Sequence, residues 1–165
     1  VRTLILWCPD WPVTAAGYDP DDPVAVVHAN RVVAASAAAR AAGVRTGLRK
    51  REAESRCPGL VVVTQDLPGE ARAFEPVVAA VAGLAPRVEV GRPGLLAMDA
   101  RGPGRYFGGE EALGRRVAEV ARSAMDGLTA RAPDPGVGVA DGRTAAVLAA
   151  RQGVVVPTGG NRTFL

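Results

Sequence analysis

The residues able to do chemistry in this chain are few, and their spacing excludes several reaction classes. A zinc site needs three or four Cys, His or carboxylate ligands. Here Cys8 and Cys57 lie far apart, form no C-x-x-C pair, and His28 is the only histidine, so no protein zinc site is expected. Two-metal phosphoryl chemistry needs clustered carboxylates, because hard divalent cations take oxygen ligands. The acids that could serve, Asp10, Glu89 and Asp99, stand singly, and capping or solvent roles are their plainer reading. The run Gly136-x-Gly138-x-x-x-Gly142 has its third glycine misplaced for a dinucleotide fingerprint and starts inside a predicted strand. The glycines from Gly91 to Gly109 lead to no Gly-Lys-Ser/Thr, so turns are expected there rather than a phosphate loop. What remains is basic: Arg40, then Arg45, Arg49, Lys50, Arg51 and Arg56, interleaved with Glu52 and Glu54. Such a run is a solvated helical face by default, or else a patch for a DNA backbone or a protein partner.

The elements that must position these groups follow from pattern. With 165 residues and 48% hydrophobic composition, the chain suits one domain with a small insertion, and wholesale disorder is excluded. Nineteen of its 20 basic residues are Arg, yet the net charge of +3 is too small to mark a nucleic-acid binder by itself. Apolar runs are short, so no membrane span is expected. Two thiols without a recognisable leader point to a reducing cytosol.

Strands are predicted at 2–8, 24–28, 31–35, 60–64, 87–90, 95–99, 136–140 and 154–156, with Ala29-Asn30 as a hairpin turn. Helices are predicted from Ser36 through Ala42 and over 48–56. A longer one opens at Pro68 with Phe74, Val77, Val78, Val81, Leu84 and Ala85 on one face. Another carries Leu113, Val117, Val120, Ala121, Ala124 and Leu128 as a stripe, and a last one is capped by Asp141. Arg101–Gly109 reads as a Gly-rich loop. Setting aside residues 10–66, the order becomes strand, helix, strand, strand, helix, strand, a mixed α+β, ferredoxin-like split βαβ. In that topology the first and third strands are neighbours, so Trp7 should meet Gly94 and Leu95. The excised segment becomes a small inserted α/β lobe.

Longer motifs then carry a resemblance. From Val33 to Pro58 the chain reads VAASAAARAAGVRTGLRKREAESRCP. This resembles the fingers motif V-A-x-x-Y-E-A-R-x-x-G-V-x-x-G-M-x-x-x-E-A-x-x-x-C-P of Y-family (translesion) DNA polymerases. Arg40, Gly43, Val44, Gly47, Glu52, Ala53, Cys57 and Pro58 stand in register. VEVGRPGLLAMD, Val88–Asp99, is similar to the palm motif V-E followed by S-x-D-E-A-x-L-D. GVADGRTAAV, Gly138–Val147, is similar to G-I-x-x-N-K-x-x-A-K. LILWCPDWPV stands where the family opens with D-x-D-x-F-F/Y. The resemblance covers essentially the whole chain. It implies a palm of residues 1–9 and 67–165 and fingers of 10–66, with the thumb and little finger absent.

It also implies a loss. The family's metal-binding carboxylates fall on Trp7, Gly94 and Leu95, its second opening Asp on Pro9 and its steric gate on Pro12. Its fingers Tyr falls on Ala37 and its phosphate-contacting Lys on Val147; of this set only Arg40 is retained. The expectation is no catalytic residue, no metal and no cofactor. Arg40 is then either a remnant contact to nucleotide or a surface ion pair. The opening strand resembles the L-W-x-P-D-W-P of the ImuB group, the inactive homologues of the bacterial mutasome. That likeness implies a cytoplasmic scaffold, nucleoid-associated during DNA damage. Its implied partners are a RecA-like accessory protein, an error-prone replicative-type polymerase, the sliding clamp (mainly through regions absent here) and RecA. The alternatives are an active polymerase fragment with unusual ligands and a module that binds DNA weakly; no membrane partner is implied.

Overall fold

Bulky apolar side chains on both faces of Arg2–Trp7 (β1) require a place inside a sheet covered on two sides. In the computed structural model, which describes residues 1–165, β1 pairs antiparallel with β6 (Leu95–Asp99) on one side and β7 (Gly136–Asp141) on the other. Strand β5 (Val88–Arg92) completes the order β5-β6-β1-β7. Read in chain order, these are the second, third, first and fourth strands of the split βαβ, as the sequence pattern requires.

The chain divides into two compact units, one of Val1–Pro9, Phe74–Met125 and Asp134–Leu165, the other of Asp10–Ala73 and Asp126–Pro133. The sequence boundary at 66/67 differs in two respects. Helix α4 (Leu67–Ala82) starts in the second unit, and residues 126–133 also belong there.

In the first unit, α6 (Glu110–Met125) buries Leu113, Val117, Ala121 and Met125 and lies along β1 and β7. The stripe ends at Met125, so Leu128 is outside the helix. Leu84 and Ala85 likewise fall beyond α4, which ends at Ala82. On the opposite sheet face α7 (Arg143–Gln152) presents Ala145, Ala146, Ala149 and Ala150. Its approach is very close: a Cβ on Gly138 would stand 2.1 Å from the backbone nitrogen of Ala150. The strand glycines are therefore there to admit a helix backbone, not a nucleotide.

Three expectations are corrected here. Arg101–Tyr106 is helix α5, not loop. The Asp99 carboxylate accepts the Arg101 N–H at 2.9 Å, and Pro103 sits in the first turn, where its missing N–H is no loss. Asp141 does not cap α7, whose N-cap is Gly142; its carboxylate accepts from Arg2 and from the Gly159 N–H. The predicted strand near 155 is a single bridge, Val139 to Val155, and a last short helix, α8 (Asn161–Phe164), follows.

The second unit holds a three-stranded sheet, β3 (Arg31–Ala35), β2 (Val24–His28) and β4 (Val61–Thr64), with β2–β4 parallel. Ala29 and Asn30 both take positive φ, 49° and 65°, the backbone a two-residue hairpin needs. Helix α1 (Trp11–Ala15), which the sequence pattern missed, follows Asp10; α2 (Ala37–Ala41) and α3 (Lys50–Arg56) sit near their expected places. Ser36 caps α2, its Oγ accepting from the N–H of Ala39 and also from that of Val24. Trp11 is fully buried, and its Nε1 donates to the Glu70 carbonyl at 3.0 Å, so it has no free face for a partner. Residues 126–133 are tied to this unit by Arg131, whose N–H bonds the Asp19 carboxylate at 2.7 Å and whose guanidinium pairs with Asp21.

Candidate functional site

Trp7 closes β1, and its register partner on β6 is Leu95. Gly94 lies immediately before, and its carbonyl accepts the Cys8 N–H at 2.8 Å. The structure thus brings Trp7, Gly94 and Leu95 to one corner of the sheet. Pro93-Gly94 is the two-residue turn of the β5–β6 hairpin, with Gly94 at φ 92°, a conformation that disfavours any side chain.

The surroundings of that corner are apolar. Trp7, Leu95, Val147 and Phe164 pack on one cluster built from Ile5, Ala97, Ala140 and the α7 alanines. A Cβ on Gly136 would stand 3.3 Å from the Trp7 ring, so the indole lies on bare backbone. The Arg151 guanidinium sits 5.8 Å from the Trp7 ring centroid, a cation–π distance. Hard divalent ions want convergent oxygens. This corner offers hydrocarbon, one carbonyl already hydrogen-bonded, and a nearby positive charge; the donor set does not fit a metal pair. Nowhere does the fold gather three His, Cys, Asp or Glu side chains into a possible ligand group.

The single acids are otherwise engaged. Glu89 pairs with Arg143 at 3.1 Å. Asp99 lies opposite Thr3, toward the other end of β1. Asp10 takes left-handed backbone at φ 51°, and its carboxylate pairs with Arg40 Nη1 at 2.6 Å. The same Nη1 donates to the Ala35 carbonyl, so Arg40 is a half-exposed ion pair that braces the α2 start. Cys8 is buried, which pushes its thiol up to about 12 and removes it as a nucleophile.

The basic run divides into two groups. Arg45 donates to the carbonyls of Arg40 and Val44, and Arg56 to that of Gly43 while pairing with Glu52 at 2.9 Å. These two hold the loop between α2 and α3. Arg49, Lys50 and Arg51 instead surround a shallow depression with Asn30 and Glu54, and none of the three forms an ion pair.

Two charged groups that sequence reasoning missed lie deep in the fold. Arg2, 4% exposed, donates through Nε and Nη2 to both oxygens of Glu110 (2.9 and 2.7 Å), and to Asp141 and the Val156 carbonyl. The Gly159 N–H and Arg2 together hold the Asp141 carboxyl below its usual range. Glu70, 7% exposed, is raised above its usual range by burial. No local signal marks Arg2, because its partners are distant in sequence, and the burial of Glu70 is set by the tertiary fold.

The impB/mucB/samB (IMS) family model matches residues 14–151. The chain belongs to that family. No curated protein matches significantly. Among solved structures, this impB/mucB/samB chain is similar to a post-insertion binary complex of Dbh DNA polymerase, at 16% identity and TM-score 0.79, covering 99% of this chain and 50% of that one. It is also similar to DinB from Sulfolobus solfataricus, at 17% identity and TM-score 0.74, covering 96% and 48%. A Y-family DNA polymerase chimera of Dbh matches at 15% identity and TM-score 0.74, covering 94% and 48%. The fold is therefore the mixed α+β palm-like fold of Y-family polymerases, and the chain spans about half the length of these structures.

Proposed function

We propose that this chain is a non-catalytic Y-family homologue of the ImuB type, in which units 1 and 2 act as palm and fingers without nucleotidyl transfer. One observation carries the reading. Trp7, Leu95 and Val147, three positions where the family motifs put a carboxylate, a carboxylate and a lysine, all pack on one apolar cluster. Gly94, where the motif has its other palm carboxylate, is a left-handed turn residue. Exchanging clustered acids for hydrocarbon removes the like-charge repulsion an ion-free site would suffer. The shape survives because its stability no longer depends on bound cations. In this reading the protein supports translesion synthesis by organising a RecA-like accessory protein, a separate error-prone polymerase, the sliding clamp and RecA, in the cytoplasm at damaged nucleoid.

Ion binding tests it directly. With millimolar magnesium and a deoxynucleoside triphosphate, the melting temperature should stay within about 1 °C. Manganese should not selectively broaden NMR signals of residues 6–9 and 93–96. A rise of several degrees, or broadening centred there, would restore the reading of an active polymerase fragment.

A second reading, weak binding of DNA by the second unit, is favoured by Arg49, Lys50 and Arg51 carrying no carboxylate partner. Three phosphate contacts predict a log–log salt slope near −3. Loss of that slope in the triple alanine variant is the expected signature; unchanged binding would leave a solvated face.

A further inference from the structure

In the first unit, Arg92 stands opposite Leu95 across the β5–β6 ladder, and Leu95 stands opposite Trp7 across the next. Register partners share a sheet face, so the three side chains form one row. Val147 joins them from α7, and Arg151 follows one helical turn later. Trp7, Leu95 and Val147 pack on the apolar cluster beneath, yet each remains partly exposed. Cations flank them. Arg92 lies at the β5 end and Arg151 over the Trp7 ring at 5.8 Å; both are exposed, and neither is in an ion pair. Arg143, by contrast, is matched by Glu89 at 3.1 Å. Apolar groups rimmed by polar ones mark interaction surfaces. A guanidinium without a carboxylate keeps its paired donors for one.

Charge and shape select the occupant. A second copy docked about a two-fold axis would bring Arg92 and Arg151 against the same two arginines, a like-charge contact. A nucleic acid strand would want a ring on which to stack its bases. The Trp7 indole is already taken, lying on the Gly136 backbone with Arg151 over it. What stays free is aliphatic, Leu95 and Val147, between two guanidiniums. We propose that this corner docks an acidic segment of another protein. An aliphatic side chain seats on Leu95 and Val147, and flanking carboxylates pair with Arg92 and Arg151. This rests on the reading of an ion-free scaffold, since a corner loaded with divalent cations could not take such a segment.

NMR titration of the intact chain separates the outcomes. The probe is the capped peptide Asp-Leu-Glu-Leu-Asp. The controls are Lys-Leu-Lys-Leu-Lys, Asp-Ser-Glu-Ser-Asp, a short oligothymidylate and magnesium chloride. The expected result is saturable shifts at the Trp7, Leu95, Val147 and Arg151 amides in the millimolar range, with the acidic leucine peptide alone. Arg92→Gln combined with Arg151→Gln changes two exposed side chains outside any ion pair, so the melting temperature should hardly move. Binding should weaken about tenfold. Absence of saturable shifts, or shifts away from this corner, overturns the proposal. So does equal binding of either control peptide, tighter binding of the oligothymidylate, or an unchanged response in the double variant. Shifts at the corner with magnesium overturn it together with the scaffold reading; failure of the peptide without a magnesium response overturns the docking surface alone.

Discussion

The two ends of β1 carry opposite solutions to the same electrostatic problem. At the Arg2 end, a guanidinium 4% exposed is surrounded by Glu110, Asp141 and a carbonyl, so buried charge is balanced within the chain. At the Trp7 end nothing ionic is buried: an indole, a leucine and a glycine turn share the corner, with Arg151 stacked outside. The comparison teaches that along this strand buried charge is kept at the end where the chain supplies its own counter-ions, while the other end is closed with apolar groups.

The sharpest way to break the contrast is to remove the cation from the balanced end. Arg2→Met leaves Glu110 and Asp141 facing each other without compensation. It should cost about 3 kcal/mol, read as a lower urea midpoint with unchanged slope. At the opposite end, Trp7→Ala deletes a half-buried indole and should cost about 2 kcal/mol, less than for a fully buried Trp. That loss should be the same with and without magnesium in thermal melts. A magnesium-dependent difference would mean the corner holds an ion after all.

Gly94→Ala tests the turn itself. A side chain at φ 92° should lower stability by about 1–2 kcal/mol. The control Gly102→Ala, in a helix with open space around it, should be neutral or stabilising. The smallest effect is in acid. Asp141 is held below its usual 3.8 by the Gly159 N–H and Arg2, so its contribution is present above that pH and fades as pH falls through the lowered value. Asp141→Asn should flatten that acid limb in a melt series from pH 5 to pH 2, while Trp7→Ala should leave its shape intact.

How much of this was legible in the sequence depended on distance along the chain. The strand order and the meeting of Trp7 with Leu95 followed from alternation and from the split βαβ rule, which are local signals plus one topological constraint. Ala29-Asn30 and Ser36 were readable for the same reason: a turn and a cap are set by adjacent residues. Helix α5 was not, because its glycines and proline read as turn residues until Asp99 and packing on α6 override them. The Arg2 network was invisible, since Arg2 meets Glu110 across 108 residues and Asp141 across 139. Arg131 joins Asp21 across 110, a long-range tie to the second unit that no local pattern signals. The vacancy of chemistry at Trp7, Gly94 and Leu95 was suggested by motif comparison alone. The shared apolar cluster with Val147 could be found only in three dimensions.

Gly94 also limits which sequences this corner can accept. Changing Trp7 or Leu95 to an acid takes only a side-chain replacement, but an acid at Gly94 would land on left-handed backbone. Building a full carboxylate set at this corner would therefore demand a redrawn hairpin as well as new side chains. The turn leaves its neighbours free to vary while holding its own position to glycine.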